Sequence, residues 1–171
     1  MEARIRRKEC GMSGTHKKTN AMRQLDALGI RYDSVQHEIE DAFTSGSDMA
    51  RMFGQDPDQV FKTLVTEDGK GGYFVCVIPV DEELDLKKAA RRFGVKKLDM
   101  LPMKNLLPLT GYVHGGCSPV GMKKRFPTAV DETAQLFDRI FVSGGRVGLQ
   151  LCLSPDDLLL VTEGRFEDLT V

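Results

Sequence analysis

The interpretation of the fold starts from the stretch Gly111-Tyr112-Val113-His114-Gly115-Gly116-Cys117-Ser118-Pro119-Val120-Gly121. Its four glycines and one proline are residue types that let a backbone bend sharply or approach a ligand closely. Such a turn can direct several backbone N–H groups toward one point, where they bind an anion or a developing oxyanion. Glycine content alone favours a plain surface turn, so the flanking sequence has to decide.

Strand and helix patterns alternate on both sides of this stretch. Strands are predicted over 30–38, 60–65, 73–80, 128–130, 140–143, 148–153 and 166–171. Helices are predicted from the N-cap residue Thr19 to Gly29, over 45–54, over 84–93 and from Ser154-Pro155 onward. Residues 106–113 form a strand-like apolar run, although 103–109 also fit a short helix. The pattern predicts an α/β (α+β) single domain with a mixed, curved, barrel-like sheet of about six or seven strands flanked by helices.

Length and composition set the class of protein. The 171 residues suffice for one domain with a sizeable core, and 41% hydrophobic with 29% charged residues is ordinary for a soluble globular protein. No apolar run approaches the roughly 20 residues that cross a bilayer, and no signal-peptide pattern follows the basic N-terminus. We therefore expect a cytoplasmic protein with no membrane partner.

The four cysteines, Cys10, Cys76, Cys117 and Cys152, are scattered without a CxxC pair or a matching histidine spacing. A disulfide framework or a zinc site would need such spacing, so neither is expected. Cys117 and His114 lie three residues apart and suggest a nucleophile with its base. This thiol hydrolase is the weaker interpretation, because side chains in a tight turn diverge and a thiolate needs surroundings that lower its pKa.

The charge of the chain is unevenly spread. The net charge of −1 excludes a generally basic nucleic-acid binder. Residues 1–18 carry +4 and residues 19–171 carry −5, so we expect a flexible basic N-terminal arm over 1–18 and a folded domain over 19–171. Basic residues also cluster locally, with Lys87 and Lys88 on one predicted helix and Lys123 and Lys124 after the glycine stretch. Each cluster fits either a solvated surface or a patch that contacts phosphates.

Lys62 is the most informative single residue. In the strand predicted over 60–65 its side chain points with those of Val60 and Leu64, and both faces of the strand are mostly apolar. The lysine therefore either protects a strand edge from aggregation or reaches into a cavity. A buried ammonium needs a partner, and a bound anion or carbonyl would serve.

Several short motifs occur in a fixed order along the chain. They are Phe61-Lys62-Thr63-Leu64-Val65, Leu86-Lys87-Lys88-Ala89-Ala90, Gly94-Val95-Lys96-Lys97, the glycine stretch with Lys123-Lys124-Arg125, and Val142-Ser143-Gly144-Gly145. In combination they closely resemble the YbaK family of bacterial Cys-tRNA(Pro) deacylases, relatives of the editing domain inserted in prolyl-tRNA synthetase. The resemblance runs from about residue 19 to the end of the chain.

The resemblance implies a mixed α/β barrel-like domain that hydrolyses the ester joining a wrongly attached amino acid, chiefly cysteine, to the 3′ end of tRNA(Pro). It implies no metal and no cofactor, and a mechanism in which the thiol of the substrate assists cleavage. It implies mischarged tRNA(Pro) as the partner and leaves prolyl-tRNA synthetase open as a second one.

The same resemblance carries functional roles onto matching positions. Lys62 matches the lysine of the family's Phe-Lys-Thr motif, and Gly115 and Gly116 match its Gly-Gly-x-Ser-Pro loop, so these three are assigned to catalysis. The substrate-binding set is Phe61, Thr63, His37, Cys117, Ser118, Pro119, Ser143, Gly144 and Gln150, and the tRNA-binding set is Lys87, Lys88, Lys123 and Lys124. The family often has tyrosine where this chain has His37, which leaves the exact amino-acid preference open.

Two alternatives remain besides the thiol hydrolase. One is a related deacylase with another preference, such as Ala-tRNA(Pro), which a panel of mischarged tRNAs would separate. The other is a non-catalytic module that binds tRNA or a synthetase. The presence of Lys62 and Gly115-Gly116 argues against this second alternative.

Overall fold

The computed structural model describes residues 17–38 and 45–171. The helices are α1 (Asn20–Ala27), α2 (Gly46–Met52), α3 (Leu86–Phe93), α4 (Met103–Thr110) and α5 (Pro155–Thr162). The strands are β1 (Asp33–Gln36), β2 (Phe61–Glu67), β3 (Tyr73–Pro79), β4 (Asp99–Met100), β5 (Thr128–Asp131), β6 (Ile140–Ser143), β7 (Leu149–Leu153) and β8 (Arg165–Glu167). Two short 3₁₀ helices cover Pro57–Gln59 and Glu132–Leu136.

Four helices begin where a side chain caps them. The side-chain oxygens of Thr19, Ser45, Asp85 and Ser154 each accept a hydrogen bond from a backbone N–H in the first turn of α1, α2, α3 and α5. Each such cap typically contributes about 1 kcal/mol, because it satisfies a donor that the helix itself leaves free. The predicted starts of α1 and α5 are confirmed.

The strands form two sheets that meet at one corner. The first sheet is antiparallel, in the order β1-β7-β6, and the second has the mixed order β4-β2-β3-β5-β8. A parallel bridge between Val60 and Phe141 places β6 beside the beginning of β2, so the two sheets continue into one another. The result is a curved sheet that does not close into a barrel, and the predicted fold class is confirmed.

The strand count differs from the prediction by one or two, because eight strands are present in the described part of the chain. The added strand is β4, whose two residues pair with Thr66 and Glu67 and are too short to show a periodic pattern. The run 106–113 is not a strand. Its first residues belong to α4, in which Leu106 and Leu109 pack against the core at helical spacing, and the helix ends at Gly111.

Three clusters of buried side chains hold the layers together. The main core joins β2, β6, β7 and α5 with the glycine stretch, and a second core lies between α3 and strands β2, β3 and β5. A third and smaller cluster consists of Ala50, Val60 and Val80, against which Phe141 packs. The apolar run in β3 is buried from Val75 onward, as predicted for a strand covered on both faces.

The predicted N-terminal arm falls mainly on residues 1–16, which lie outside the described residues. Lys17 and Lys18 are described, and both contact the domain. The carbonyl of Lys17 accepts a hydrogen bond of 2.7 Å from Arg146, and the ammonium of Lys18 pairs with Asp26. Among the described helices, none combines the length and apolar character that a bilayer crossing requires.

Candidate active site

The glycine stretch is held from inside by Tyr112. This side chain is 5% exposed, and its hydroxyl donates a 2.7 Å hydrogen bond to the carbonyl of Val120 at the far end of the stretch. The N–H of Gly116 donates to the carbonyl of Val113 at 3.0 Å, which closes a turn in the middle. The stretch is therefore a fixed loop and not a loose surface turn.

A second glycine turn, Ser143-Gly144-Gly145-Arg146, joins β6 to β7 and contacts the first. A Cβ atom on Gly116 would lie 2.9 Å from the carbonyl carbon of Arg146, so only glycine lets the two backbones approach this closely. A Cβ atom on Gly145 would lie 2.8 Å from the ring of Tyr112. The two glycine motifs, about 30 residues apart in sequence, form one packed unit.

Some backbone N–H groups of this unit are used internally and others are not. Gly116 donates to Val113, Gly144 donates to Leu149, and Gly145 donates to the hydroxyl of Ser143. The N–H groups of Gly115, Cys117 and Ser118 find no acceptor among residues 17–38 and 45–171, and of these three residues Cys117 and Ser118 are buried. Buried residues seldom leave an N–H unpaired, so Cys117 and Ser118 are the candidate donors to a ligand.

The expected oxyanion donors are thereby narrowed. Gly115 and Gly116 were assigned to catalysis, but the N–H of Gly116 is committed to the turn. The N–H of Gly115 has no acceptor among the described residues but belongs to an exposed residue, whereas the candidate donors at buried residues are those of Cys117 and Ser118. Pro119, which is buried, comes directly after these donors and has no N–H of its own.

Lys62 lies in β2 with its ammonium near the end of β3. Its Nζ donates to the carbonyl of Val80 at 3.2 Å. Burial lowers the pKa of Lys62, and the carboxylates of Glu83, Asp81 and Glu82 oppose that shift in this order. A half-buried ammonium with one carbonyl partner has donors left for a substrate oxygen.

β6 lies beside the start of β2, next to Lys62. Lys62 pairs with Ile78 of β3 on one side, and on the other side a single parallel bridge joins Val60 to Phe141 of β6. Lys62 and Ser143 each follow a residue of that bridge by two positions, so alternation directs both side chains to the same face. The bridge does not extend to Lys62, so the choice between edge protection and a cavity stays a prediction.

Four of the expected site residues share one face of the curved sheet. Ser143 and Gln150 are directly opposite each other in β6 and β7, and alternation along the strands places both on the face to which Lys62 points. His37 follows β1 and approaches Gln150, with its Nε2 3.1 Å from the amide oxygen of Gln150. This face is the candidate substrate site.

Two other expected residues, Phe61 and Thr63, lie on the opposite face of β2, and the side chain of Cys117 packs in the main core to which Phe61 belongs. Phe61 is 2% exposed, the hydroxyl of Thr63 is buried without a hydrogen-bond partner among the described residues, and Cys117 is 8% exposed. Burial raises the pKa of the Cys117 thiol to about 12, so the thiol is protonated at neutral pH. This environment disfavours Cys117 as a nucleophile.

The predicted basic patches divide into free and engaged lysines. Lys88 donates to both carboxylate oxygens of Asp168, at 3.0 and 3.1 Å, and to the carbonyl of Thr170 at 2.7 Å. Its ammonium thus ties α3 to the end of the chain. Lys87 and Lys124 are exposed, and Lys123 is exposed with a 3.3 Å hydrogen bond to the carbonyl of Pro108.

Two measured concavities lie away from Lys62. One has a volume of about 40 Å³ and is lined by Lys124, Arg125 and neighbouring residues. The other, of about 350 Å³, lies at the far end of β1 and β7, between Arg31, Arg139 and Asp157. Neither is lined by the residues that share the face of Lys62.

Gln55 and Phe53 contact expected site residues and were not predicted to do so. Gln55 pairs with Gln150, and Phe53 stacks on His37. Both lie in the connection between α2 and β2, although the helix predicted over 45–54 includes Phe53. The partner of Gln55 is 95 residues away in sequence, so neighbouring residues give no signal of the pairing.

Known proteins match this chain along most of its length. The model of the aminoacyl-tRNA editing domain matches residues 39–160. A protein named "Putative Cys-tRNA(Pro)/Cys-tRNA(Cys) deacylase EbsC" from Enterococcus faecalis is 44% identical over 156 residues, which is 91% of this chain and 95% of that protein. The prolyl-tRNA editing protein ProX of Acetoanaerobium sticklandii is 27% identical over 150 residues, covering 85% of this chain and 84% of its own length.

The fold is likewise shared with a solved structure. A crystal structure titled as that of "a putative trans-editing enzyme for prolyl tRNA synthetase" superimposes with a TM-score of 0.78 at 25% identity, covering 89% of this chain and 95% of that one. The chain belongs to the aminoacyl-tRNA editing domain family.

Proposed function

We propose that the protein is a trans-editing deacylase that hydrolyses the ester of mischarged Cys-tRNA(Pro). The observation that supports the proposal is that Lys62 and Ser143 point to one face of the curved sheet, and that the β6–β7 turn, which begins at Ser143, packs against the glycine stretch. A cation and backbone N–H groups without an acceptor among the described residues suit an ester whose carbonyl oxygen gains negative charge. The relative that is 44% identical carries this activity in its name.

The N–H groups of Cys117 and Ser118 are proposed to bind the oxyanion. One such donor is worth roughly 10²- to 10³-fold in rate, because it is already oriented when the charge develops. The glycine unit keeps the loop rigid, so little reorganisation is needed during the reaction. Lys62 anchors a carbonyl, ribose or phosphate oxygen of the substrate in exchange for the carbonyl of Val80.

The nucleophile is proposed to be the thiol of the cysteinyl group itself. Its sulfur attacks the ester carbonyl, the bond to the ribose oxygen breaks, and the thiol proton ends on the released ribose hydroxyl. The product is a cyclic thioester between the sulfur and the carbonyl of the same cysteine. Water then hydrolyses this thioester and frees cysteine. This route needs no protein nucleophile, in keeping with the high pKa of Cys117.

Exposed lysines are proposed to contact the tRNA backbone. Lys87, Lys123 and Lys124 keep the predicted role, since each lies on the surface. Lys88 is left out because Asp168 and Thr170 already occupy its ammonium. Residues 1–18 add positive charge as an arm to the folded domain over 19–171. Prolyl-tRNA synthetase is the proposed second partner, and the cytoplasm, where aminoacyl-tRNAs are used, is the proposed location.

A deacylation assay tests the proposal directly. Cys-tRNA(Pro), Ser-tRNA(Pro) and Ala-tRNA(Pro) are each incubated with the protein, and the remaining ester is measured with time. We expect the cysteinyl ester to react fastest, with a margin over the seryl ester that exceeds the roughly 10²-fold available from pocket fit alone.

Each other outcome identifies an alternative. Preferred hydrolysis of the alanyl ester would indicate a deacylase of different preference, and tight tRNA binding without turnover would indicate a binding module. Equal rates for cysteinyl and seryl esters would show that water held by the protein is the nucleophile.

A further inference from the structure

We propose that Gln55 is a positioning residue that sets the amino-acid preference of the site by occupying the amide of Gln150. This inference rests on the proposed function for the identity of the ligand. It concerns the wall of the substrate site formed by Gln150, His37 and the segment after α2, a network to which Gln55 contributes the central contacts.

The two glutamine amides face each other in a reciprocal pair. Nε2 of Gln55 donates to Oε1 of Gln150 at 2.7 Å, and Nε2 of Gln150 donates back to Oε1 of Gln55 at 3.1 Å. The same Oε1 of Gln150 is 3.1 Å from Nε2 of His37. With the amides oriented in this way and the imidazole proton of His37 on Nε2, Oε1 of Gln150 accepts two hydrogen bonds.

The segment after α2 holds both neighbours of Gln150 in place. The ring of Phe53 stacks on the ring of His37 with a centroid distance of 3.5 Å and an interplanar angle of 12°. Two residues further on, the backbone N–H of Gln55 donates to the carbonyl of Ala50 at 2.8 Å. One short segment therefore fixes the imidazole through its face and the amide of Gln150 through its edge.

This wall lies on the same face of the sheet as Lys62. Gln150 is directly opposite Ser143 in β6 and β7, and alternation from the bridge between Val60 and Phe141 directs Ser143 and Lys62 to that face. Gln150 is only 8% exposed, so most of its amide is in contact with neighbouring groups. A ligand that contacts Lys62 and Ser143 on this face would lie beside this amide.

An engaged amide favours a thiol over a hydroxyl. A seryl hydroxyl gives up water when it enters a buried site and needs hydrogen-bond partners in return. The oxygen of Gln150 is already taken by Gln55 and His37, so it offers the hydroxyl little. A cysteinyl thiol is a weak donor and acceptor and loses much less on entry.

The test measures binding of two stable analogues, 3′-amide-linked cysteinyl and seryl adenosine, by calorimetry on the full chain. Wild type is expected to bind the cysteinyl analogue more tightly. In Gln55→Leu the amide of Gln150 is released and can serve the seryl hydroxyl, so we expect the preference for cysteine to fall about tenfold. The double variant Gln55→Leu/Gln150→Leu removes the released amide and should restore the preference.

A matched control is available in the same connection. Gln59 also uses its amide in a hydrogen bond, at 2.8 Å to the carbonyl of Arg139, but it does not contact Gln150 or His37. Gln59→Leu should leave the preference unchanged. An equal fall in the preference for the cysteinyl analogue in Gln59→Leu, or an unchanged preference in folded Gln55→Leu, would overturn the inference. Neither result would affect the measured deacylation by wild type, which tests the proposed function.

A further outcome separates this inference from the proposed function. If wild type binds neither analogue, the role assigned to Gln55 is overturned. Hydrolysis of the full tRNA ester then remains a separate measurement, and its result decides the proposed function independently.

Discussion

The two faces of β2 carry adjacent residues into opposite surroundings. Phe61 and Val65 on one face are 2% and 4% exposed in the main core, whereas Lys62 on the other face is half-buried with a single carbonyl partner. A cation between apolar neighbours needs a partner, which can be a carbonyl, a carboxylate or a ligand. The proposed function supplies a substrate oxygen as a further partner of Lys62, so substitutions on the two faces should have different effects.

The largest expected effect comes from Lys62→Ala. The variant should fold normally, because removing a cation from a partly apolar site does not leave a charge unpaired. It should lose deacylation by about 10³-fold or more, the magnitude expected when an oriented charge-stabilising group is removed. Single-turnover rates on Cys-tRNA(Pro) provide the measurement, and near wild-type activity would show that the two faces do not differ as described.

Phe61→Ala probes the other face and should have the opposite character. Truncation of a buried aromatic side chain costs about 3–5 kcal/mol in unfolding free energy. Urea denaturation should therefore show a much lower midpoint, while the protein that remains folded keeps its turnover. A selective loss of activity at full stability would assign Phe61 to the site after all.

The exposed lysines allow a comparison of the half-buried ammonium of Lys62 with ammonium groups that lie on the surface. Replacing Lys87, Lys123 and Lys124 by alanine should weaken tRNA binding and flatten the dependence of log K on log salt by roughly 2 to 3, since each phosphate contact contributes roughly 0.7–0.9. Lys88→Ala serves as the control, because its loss should affect stability and leave the salt slope alone. An unchanged slope in the triple variant would remove these residues from the interface.

Thr63→Val sharpens the comparison on the core face. The hydroxyl of Thr63 is buried and unpaired among the described residues, so replacing it with a methyl group should raise the unfolding free energy by about 1 kcal/mol. Turnover should change by less than about threefold, well below the tenfold loss of rate that corresponds to about 1.4 kcal/mol of transition-state stabilisation. If activity dropped strongly while stability rose, the hydroxyl would be a substrate ligand.

Glu83→Gln should produce the smallest effect, a displaced pH profile. Lys62 is protonated below its pKa, which burial lowers and Glu83 raises, so activity that needs the ammonium declines as pH rises through that pKa. Without the Glu83 carboxylate the decline should begin at lower pH. The rate of deacylation against pH measures this shift, and an unmoved alkaline limb would mean that another group limits the rate.

The same pKa has a consequence for stability. In the unfolded chain Lys62 has its ordinary pKa, so the unfolded state binds more protons between the lowered native value and the ordinary one. The contribution of Lys62 to stability therefore increases as pH rises through that window. Lys62→Met should abolish this pH dependence.

Local signals in the sequence were sufficient for most elements. Caps such as Thr19 and Ser154 begin helices through contacts within the next three residues, and such contacts can be read from neighbouring letters. Contacts between distant parts of the chain could not be read in this way. The pairing of Lys88 with Asp168 spans 80 residues, and it removes from the surface a lysine that local sequence places there.

The site shows the same division. Lys62 and the two glycine motifs could be predicted, because they resemble known motifs letter by letter. The contact between Gly116 and Arg146 could not, because it depends on how the α4–β5 connection packs against the β6–β7 turn.

The hydroxyl of Thr19 donates to the carbonyl of Gly144 at 2.6 Å, across 125 residues. During synthesis from the N-terminus, the start of α1 therefore waits for its partner until the β6–β7 turn has emerged. A shorter nascent chain lacks the second glycine turn and, with it, the surface that fixes the first. Deacylase activity should consequently appear only in chains that extend beyond that turn.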